Sequence, residues 1–202
     1  MKIMAFMGSP RKGSNTETLM DRVIDGAGSK TNVEVEKIYL YDADIGYCTA
    51  CGMHTPRMGS KECPLKDDMA GILARMQEAD AFIFGSPNHG HTISAAMTTF
   101  ISRLMPLLKM HVVRDDAGKI VHAEARPLIK GKKAVMVVVQ GDPTPSSSAL
   151  ILRIFDANFK DFQLRKVGEV FSCGNIGRAI VQENRHDLEK AYNVGVKLAT
   201  MP

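Results

Sequence analysis

Short apolar runs alternate with segments whose apolar residues recur every three or four positions along most of the chain. Lys2–Met7 is the first apolar run, and Thr16–Ala27 is the first periodic segment. A short apolar run between turn residues is typical of a buried strand, whereas the longer spacing is typical of an amphipathic helix. The pattern therefore predicts a strand followed by a helix. The apolar residues on that helix face are Leu19, Met20, Val23, Ile24 and Ala27.

The same alternation continues to the end of the chain and predicts the fold class. Five strand–helix units joined by short connections predict an α/β fold, in which helices cover both faces of one doubly wound, five-stranded parallel sheet. The other predicted strands are Val33–Tyr39, Ala81–Gly85, Lys132–Gln140 and Lys166–Phe171. Four further helices are predicted. The first begins at Asp67 or Asp68, and the second covers Ser94–Met105, with Pro106 marking its end. The third begins at Ser146 or Ser147, and the fourth begins at Asp187.

One segment interrupts the alternation. His111–Val113 and Ile120–His122 flank the polar turn Asp115–Gly118, which is a pattern typical of a β-hairpin. We therefore expect a β-hairpin insertion over residues 111–123. Because the 202 residues contain neither a repeat nor a linker-like stretch, we expect a single domain over residues 1–202.

Composition is typical of a soluble globular protein, with 45% hydrophobic and 24% charged residues. The net charge of +4 comes from basic residues that are spread along the chain without runs, so we expect no nucleic-acid partner. Ala134–Val139 is the longest uninterrupted apolar run and is too short for a membrane span, so we expect no membrane partner. Four cysteines, three of them clustered, do not resemble a secreted disulfide framework. We expect a cytoplasmic protein.

The loop between the first strand and the first helix carries the clearest chemical signal. Residues 8–16 read Gly-Ser-Pro-Arg-Lys-Gly-Ser-Asn-Thr. Backbone N–H groups at a helix start lack partners within the helix, and the helix dipole adds positive charge there, so we predict a phosphate site. Ser14 and Glu17 also fit a capping box, and a capping serine can still face an anion. The side chains that can add charge or hydroxyl donors are Ser9, Arg11, Lys12, Ser14 and Thr16.

The glycine spacing limits which phosphate compound this loop can hold. In a Walker loop the second glycine is followed by lysine and a hydroxyl residue, but here Gly13 is followed directly by Ser14. A dinucleotide fingerprint requires Gly-x-Gly-x-x-Gly, whereas Gly8 is followed by Ser9 and Pro10. Both nucleotide classes are disfavoured. The hydroxyl-rich loop instead suits a single terminal phosphate, such as that of FMN.

Three predicted loops with unusual chemistry follow the carboxyl ends of strands. They are Gly8–Asn15, Ser86–His91 and Gln140–Pro145. In a doubly wound sheet, ligands bind beyond the strand carboxyl ends, where the strand order reverses. We therefore expect one pocket, with a phosphate on the first loop and a planar ring between the other two.

These motifs resemble those of the NAD(P)H-dependent FMN reductase family, which has a flavodoxin-like fold, and within it the iron–sulfur flavoprotein branch. The resemblance covers about residues 2–133 and is strongest over residues 8–16. It implies bound FMN, NAD(P)H as the electron donor, and a homodimer or higher homo-oligomer. The other motifs that carry it are Gly85-Ser86-Pro87 with a following helix that ends in Ser102-Arg103, and Cys48-x-x-Cys51 followed by Asp67-Asp68-Met69.

The resemblance also implies which residues contact FMN. His89 stands where family members often place a tyrosine or tryptophan beside the ring, and it is the candidate for proton delivery. No other catalytic residue is predicted, because the flavin carries the chemistry. His91 is expected to face solvent. The implied ligands are Ser9, Arg11, Ser14, Asn15 and Thr16 at the phosphate, Pro87, Asn88, His89 and Gly90 along the ring, and Gln140, Gly141 and Asp142 at its polar edge.

A cysteine cluster lies between the second strand and the second helix. Cys48, Cys51, His54 and Cys63 resemble the four-cysteine motif of the iron–sulfur flavoproteins, with His54 at the third cysteine position. Three cysteines and a histidine can hold a [4Fe–4S] cluster of altered potential or a zinc ion. The alternatives are a redox-active dithiol of Cys48 and Cys51, and thiols that only pack in the loop. Because the departure falls at a ligand position, we favour these alternatives over a metal site.

The main functional hypothesis is an enzyme, an FMN-dependent oxidoreductase that accepts hydride from NAD(P)H and reduces a free flavin, a quinone or another small acceptor. The alternative is an iron–sulfur flavoprotein that relays electrons between partner proteins through FMN and a cluster at Cys48–Cys63. A third hypothesis is a nucleotide-binding protein without redox chemistry.

Overall fold

Five parallel strands form the central sheet, and the computed structural model describes residues 1–53 and 63–202 of the chain. The sheet order is the second, first, third, sixth and seventh strand, so the order reverses between the first and third strands. This arrangement confirms the predicted doubly wound sheet. The strands are β1 (Lys2–Met7), β2 (Glu34–Tyr39), β3 (Ala81–Pro87), β4 (Leu108–Arg114), β5 (Ile120–Pro127), β6 (Lys133–Val139) and β7 (Arg165–Ser172).

Helices cover both faces of the sheet, as predicted. Successive residues of β1 point to opposite faces: Met4 and Phe6 join one apolar cluster, and Ile3 and Ala5 join the other. In the described ranges, no helix combines the length and the apolar character that a membrane span needs. The helices are α1 (Asn15–Gly28) and α5 (Arg185–Thr200) on one face, and α2 (Met69–Glu78), α3 (Ala95–Ser102) and α4 (Ala149–Asp161) on the other.

Helices α1 and α5 approach each other closely enough to require glycine at the contact. A Cβ atom on Gly26 would lie 2.0 Å from the carbonyl oxygen of Tyr192, and one on Gly195 would lie 1.9 Å from that of Val23. Because no side chain fits there, the two helix backbones pack directly on each other. This contact fixes α1, whose first residue borders the predicted phosphate loop.

The predicted end of α3 and the predicted start of α4 are wrong. The third helix ends at Ser102, and Pro106 lies in a short 3-10 turn over Met105–Leu107. Helix α4 begins only after another 3-10 turn, Pro145–Ser148, so neither Ser146 nor Ser147 caps it. In both places a proline fits the first turn of a 3-10 helix, which the apolar pattern alone does not distinguish from an α-helix.

The helix start predicted at Asp67 or Asp68 is confirmed, whereas the one predicted at Asp187 is wrong. Asp68 is the N-cap of α2 but forms no side-chain capping bond, and the Asp67 carboxylate accepts the hydrogen bond from the Met69 N–H instead (3.1 Å). Helix α5 is capped by Asn184, whose side chain accepts from the Asp187 N–H (3.1 Å). Asp187 is therefore in the first turn and does not open the helix.

Strands β4 and β5 form the predicted hairpin, as a separate two-stranded antiparallel sheet. Its strands run beyond the predicted residues 111–123, with Lys109 opposite Arg126. Both faces of the hairpin carry exposed residues, including Val113 (43% exposed) and Val121 (59%). The hairpin therefore projects from the main sheet.

Candidate functional site

A cleft of about 390 Å³ lies at the carboxyl edge of the sheet, where the loops after four of its strands meet. It falls within the range of about 300–1,000 Å³ that is typical of small-molecule sites. All three predicted loops contribute, together with the loop after β7. The lining residues are Ser9, Pro10, Arg11, Ser14, Asn15, Thr16, Pro87, Asn88, His89, Val139, Gln140, Gly141, Asn175, Gly177 and Arg178.

A variant of the capping box shapes the first loop. Ser14 is the N-cap of α1, and its Oγ accepts a hydrogen bond from the Glu17 N–H (3.2 Å). The Glu17 carboxylate in turn accepts from the Gly13 N–H (2.6 Å), one residue before the position of an ordinary capping box. Gly13 has a φ of +67°, which favours glycine. These hydrogen bonds hold the loop on the side away from the cleft, and its other side faces the cleft.

A second contact fixes Glu17 itself. The Tyr39 hydroxyl at the end of β2 donates a hydrogen bond to the Glu17 carboxylate. Burial alone would raise the pKa of Glu17, but the hydrogen bonds from Tyr39 and Gly13, with the nearby Lys37 ammonium, lower it overall. The same hydrogen bond, together with burial, raises the pKa of Tyr39 to about 12.

Donors without protein partners line the open side of the loop. The backbone N–H groups of Ser14, Asn15 and Thr16 have no protein acceptor in the described parts of the chain. Thr16 lines the cleft, and its hydroxyl forms no hydrogen bond with the described residues. Unpaired backbone N–H groups at a helix start attract anions, so this cradle fits an anion such as a terminal phosphate.

The two basic residues of the loop, Arg11 and Lys12, lie in different surroundings. Arg11 lines the cleft, whereas the Lys12 ammonium lies 2.8 Å from the Asp42 carboxylate and 5.2 Å from the centre of the Tyr39 ring. The hydrogen bond and charge of Asp42 raise the pKa of Lys12. Lys12 is therefore paired outside the cleft.

The second and third loops are joined by partly buried side-chain hydrogen bonds. The Asn88 amide donates to the Gln140 side-chain oxygen (3.0 Å) and to Ser148 Oγ (3.1 Å). The Gln140 amide donates to the carbonyl oxygens of Asp142 (2.8 Å) and Thr144 (2.7 Å). Both side chains are thus occupied by the protein and set the width of the cleft. A planar ligand between the loops would meet Pro87, His89 and the Gly141 backbone.

The structure does not bring Gly90 and Asp142 into the cleft lining, although both were predicted there. Gly90 has a φ of +60° and lies on the exposed turn of its loop. The Asp142 carboxylate accepts from the Thr144 N–H (2.7 Å) and from Ser147 Oγ (2.9 Å), and these bonds lower its pKa. Asp142 therefore stabilises its own loop. His91 is exposed, as expected, with its Nδ1 3.0 Å from the Ser147 carbonyl oxygen.

Sequence reasoning missed the fourth loop of the cleft, which follows β7. Asn175, Gly177 and Arg178 line the cleft beside the phosphate loop. The available signal was the pair of glycines, Gly174 and Gly177, directly after the last predicted strand. Carboxyl ends of parallel strands meet at one edge, so this loop was bound to lie at the same edge as the other three.

The cysteines lie apart from the cleft. Cys48, Cys51 and Cys63 line one small cavity of about 30 Å³, together with Arg103. His54 lies outside the described residues. Among the residues that are described, no group of three or more His, Cys, Asp or Glu side chains could hold a metal ion, so the residues as placed do not fit a cluster or zinc.

A buried ion pair borders this cysteine cavity. The Arg103 guanidinium lies 2.6 Å from the Asp67 carboxylate and donates to the Gly46 carbonyl oxygen (2.6 Å). It also lies 3.6 Å from Cys63 Sγ. The hydrogen bond from Arg103 lowers the pKa of Asp67. The pair attaches the cysteine segment to the end of α3.

Comparison with known proteins agrees with the family resemblance that the sequence motifs indicated. The family model described as NADPH-dependent FMN reductase matches residues 1–154. An iron–sulfur flavoprotein of Archaeoglobus fulgidus is 30% identical over 200 residues, which cover 98% of this chain and 79% of that protein. An iron–sulfur flavoprotein of Methanocaldococcus jannaschii is 35% identical over 118 residues, covering 58% of this chain and 59% of that protein.

Solved structures share the fold at low sequence identity. An NAD(P)H:quinone oxidoreductase from Methanothermobacter marburgensis superposes with a TM-score of 0.74 at 15% identity, over 98% of this chain and 96% of that one. An FMN-dependent NADH-azoreductase from Bacillus anthracis, solved with FMN, gives 0.70 at 15% identity, over 98% of this chain and all of that one (100%). These likenesses confirm the flavodoxin-like fold.

Proposed function

The chain belongs to the NADPH-dependent FMN reductase family, in its iron–sulfur flavoprotein branch, and we propose that it binds FMN in the four-loop cleft and uses it to oxidise NAD(P)H. The observation that carries this proposal is the cradle of unpaired donors at the start of α1, which opens into a cleft of suitable size. The donors match the phosphate of FMN, and the two joined loops leave a slot for its ring.

The phosphate end of the proposed site uses the first loop. Ser14, Asn15 and Thr16 offer backbone N–H groups, and Arg11 offers a cation in the cleft. The dipole of α1 adds about half a positive charge at the same point. Ser9 holds this loop by accepting from the Arg11 N–H (3.2 Å), so its backbone is preorganised before a ligand arrives.

The ring end of the proposed site uses the second and third loops. When bound, FMN would accept a hydride from the nicotinamide donor and pass electrons to a second acceptor. Pro87 and Gly141 would flank the ring, while Asn88 and Gln140 keep the loops at a fixed separation. His89 is exposed at the cleft, where its imidazole can hold or deliver a proton.

We propose a small organic acceptor, a quinone first. The fold likeness to a quinone oxidoreductase and an azoreductase supports this class of acceptor. Free flavin is the other small acceptor that the same cleft suits.

Anaerobic mixing tests the oxidoreductase proposal. The FMN-loaded protein is mixed with NADPH or NADH, and the loss of flavin absorbance is followed before and after a quinone is added. We expect bleaching by a nicotinamide donor and recovery of the absorbance with the quinone. Failure of both NADPH and NADH to bleach the bound flavin would contradict the proposal.

An iron–sulfur relay is the second candidate. Three cysteines around one cavity and two relatives named iron–sulfur flavoproteins favour it, although the described residues do not fit a cluster. Iron and sulfide analysis of anaerobically purified protein separates the candidates. Cys173 follows β7 and does not line the cysteine cavity, so Cys173→Ser is the control. Stoichiometric iron and sulfide that are lost in Cys48→Ser but kept in Cys173→Ser would favour the relay.

We also propose that the chain forms a homodimer through its hairpin. Isolated two-stranded hairpins are marginally stable in water, and this one exposes Val113 and Val121. A second copy that packs on these residues would stabilise it. Light scattering on the purified protein measures the mass directly.

A further inference from the structure

A second arginine lies beside the phosphate loop, on a segment to which the proposed function assigns no role. Arg178 follows β7, lines the cleft with Arg11, and donates a hydrogen bond through Nη2 to the Lys12 carbonyl oxygen. A guanidinium carries five N–H donors, so most of them stay available to a ligand. In residues 1–53 and 63–202, no carboxylate lies within ion-pair distance of Arg178.

Buried polar contacts hold the backbone of this loop in place. The Asn15 side chain donates to the Gly177 carbonyl oxygen (2.8 Å) and accepts from the Val181 N–H (3.1 Å). On the other side, the Asn175 N–H donates to the Gln140 carbonyl oxygen (3.0 Å). Asn15 and Asn175 are each only 8% exposed. The loop after β7 is therefore fixed both to the phosphate loop and to the loop after β6.

The backbone turns sharply on both sides of Arg178. Gly177 has a φ of +128° and Ala179 a φ of +59°. A non-glycine residue in the left-handed region is strained, and such strain persists only where the surrounding contacts enforce it. The turn brings the guanidinium over the phosphate loop, where Nη2 lies 3.7 Å from the position that a Cβ on Gly13 would take.

The charge of a bound phosphate explains why a second arginine is useful beside the phosphate loop. A terminal phosphate monoester carries about 1.5 to 2 negative charges at neutral pH. The α1 dipole supplies about half a positive charge, and Arg11 supplies one more. Lys12 supplies little, because its ammonium is paired with Asp42. The positive charge of Arg178 is needed to balance a dianion in the cleft.

We propose that Arg178 is a second cationic ligand of the terminal phosphate, and that it makes the cleft selective for phosphorylated flavin over riboflavin. The inference rests on the proposed function, because it requires flavin to bind in this cleft. The phosphate is held between two loops that are far apart in sequence, and the planar guanidinium can make two parallel hydrogen bonds to it.

Equilibrium titration of the apoprotein with FMN and with riboflavin, followed by flavin fluorescence, tests the inference. Loss of one charge-assisted contact predicts that Arg178→Gln binds FMN roughly 10-fold more weakly and riboflavin within about 2-fold of the wild type. The FMN affinity of Arg178→Lys should lie between those of the wild type and Arg178→Gln. An ammonium keeps the positive charge but cannot make the two parallel hydrogen bonds of a guanidinium. Arg153→Gln, on the exposed surface of α4, is the matched control and should bind both flavins as the wild type does.

The outcomes separate this inference from the proposed function. An Arg178→Gln variant that loses affinity for both flavins equally, or for neither, overturns the inference. If Arg11→Ala weakens FMN binding while Arg178→Gln does not, only the inference fails. If the folded wild type binds neither flavin, the proposed function fails as well. Thermal unfolding checks that each variant is folded, which is expected because Arg178 is exposed.

Discussion

At the scale of single residues, two neighbouring cations on one loop serve different purposes. Arg11 lines the cleft, whereas Lys12 is paired with Asp42. Arg11→Ala should therefore weaken FMN binding by roughly 10- to 100-fold, the value of a charge-assisted hydrogen bond. Lys12→Ala is the matched control and should change the FMN dissociation constant by less than about 3-fold, because an exposed ion pair contributes little. Isothermal titration calorimetry measures both dissociation constants. Equal losses of FMN affinity in the two variants would contradict the different roles of Arg11 and Lys12.

The hydrogen bond from Tyr39 to Glu17 predicts a stability change at high pH. The pKa of Tyr39 is raised from 10.0 to about 12 in the folded protein, so folding favours the protonated phenol. Its stabilisation is fully present below pH 10.0 and is lost as the pH rises toward about 12. We expect the difference in free energy of unfolding between the wild type and Tyr39→Phe to shrink over that interval in urea titrations.

The exposed Tyr47 supplies the control for this pH prediction. Its side chain is 82% exposed and has no hydrogen-bond partner among the residues that the structure describes. Tyr47→Phe should therefore track the wild type at every pH. A constant difference between the wild type and Tyr39→Phe from pH 10 to 12 would show that the phenol proton does not contribute.

Residue types alone indicated three of the four loops that form the cleft, but not which side chains face it. Asn88 was predicted along the ring and Gln140 at its polar edge. Both line the cleft, yet their amides are used to join two loops. Asp142 was predicted at the ring edge, and its carboxylate instead binds its own loop. A polar loop side chain can satisfy either a ligand or the protein, and only the folded geometry decides between them.

At the scale of elements, the contact between α1 and α5 determines where the phosphate loop lies. Gly26→Ala would force a Cβ to within 2.0 Å of the Tyr192 carbonyl oxygen, against backbone that cannot move cheaply. We expect a loss of about 3 kcal/mol in free energy of unfolding, at the upper end for overpacked sites. Chemical denaturation followed by circular dichroism measures this loss.

Gly28→Ala is the matched control for the helix contact. Gly28 lies in the same helix, and the nearest atom to an added Cβ would be Val33 Cγ2 at 3.5 Å, an ordinary contact. Because alanine favours helix more than glycine does, this variant should lie within about 1 kcal/mol of the wild type and tend toward greater stability. Equal destabilisation by both substitutions would mean that the close approach is not limiting.

Hydrophobic periodicity predicted every strand of the main sheet and missed details at the helix starts. Buried strands such as Lys133–Val139 are continuous apolar runs, a pattern that tertiary contacts rarely override. Helix starts depend on single hydrogen bonds, and Asn184 caps α5 although Asp187 is also a suitable capping residue. The pattern therefore indicates that an element exists more reliably than where it begins.

At the scale of the whole molecule, the hairpin offers a test of assembly. Lys109 and Arg126 are cross-strand partners, so residues 110–125 can be replaced by a Gly-Gly turn that joins them. Because the hairpin is a sheet separate from the five parallel strands, the shortened protein should fold and bind FMN as before. Light scattering should give the mass of a monomer for the shortened protein and the mass of a dimer for the full chain. An unchanged dimer would exclude the hairpin from the interface.

The position of the cleft could be predicted because strand order determines it. Five strand–helix units imply a sheet whose order reverses once, and the loops that follow the strands meet at that reversal. The loop after β7 could have been placed at this edge in the same way, but the side chains that it turns toward the cleft could not be predicted from its residues. The cleft-facing position of Arg178 depends on Asn15, which lies far away in the sequence and joins the two segments through Gly177 and Val181.

The proposed site requires the loop before α1 to hold the phosphate of FMN, and a crystal structure of the protein soaked with FMN tests this placement. We expect phosphate density against the backbone N–H groups of residues 14–16, within reach of Arg11, and ring density between Pro87 and Gly141. An empty loop, or FMN bound with its phosphate elsewhere on the protein, would contradict it.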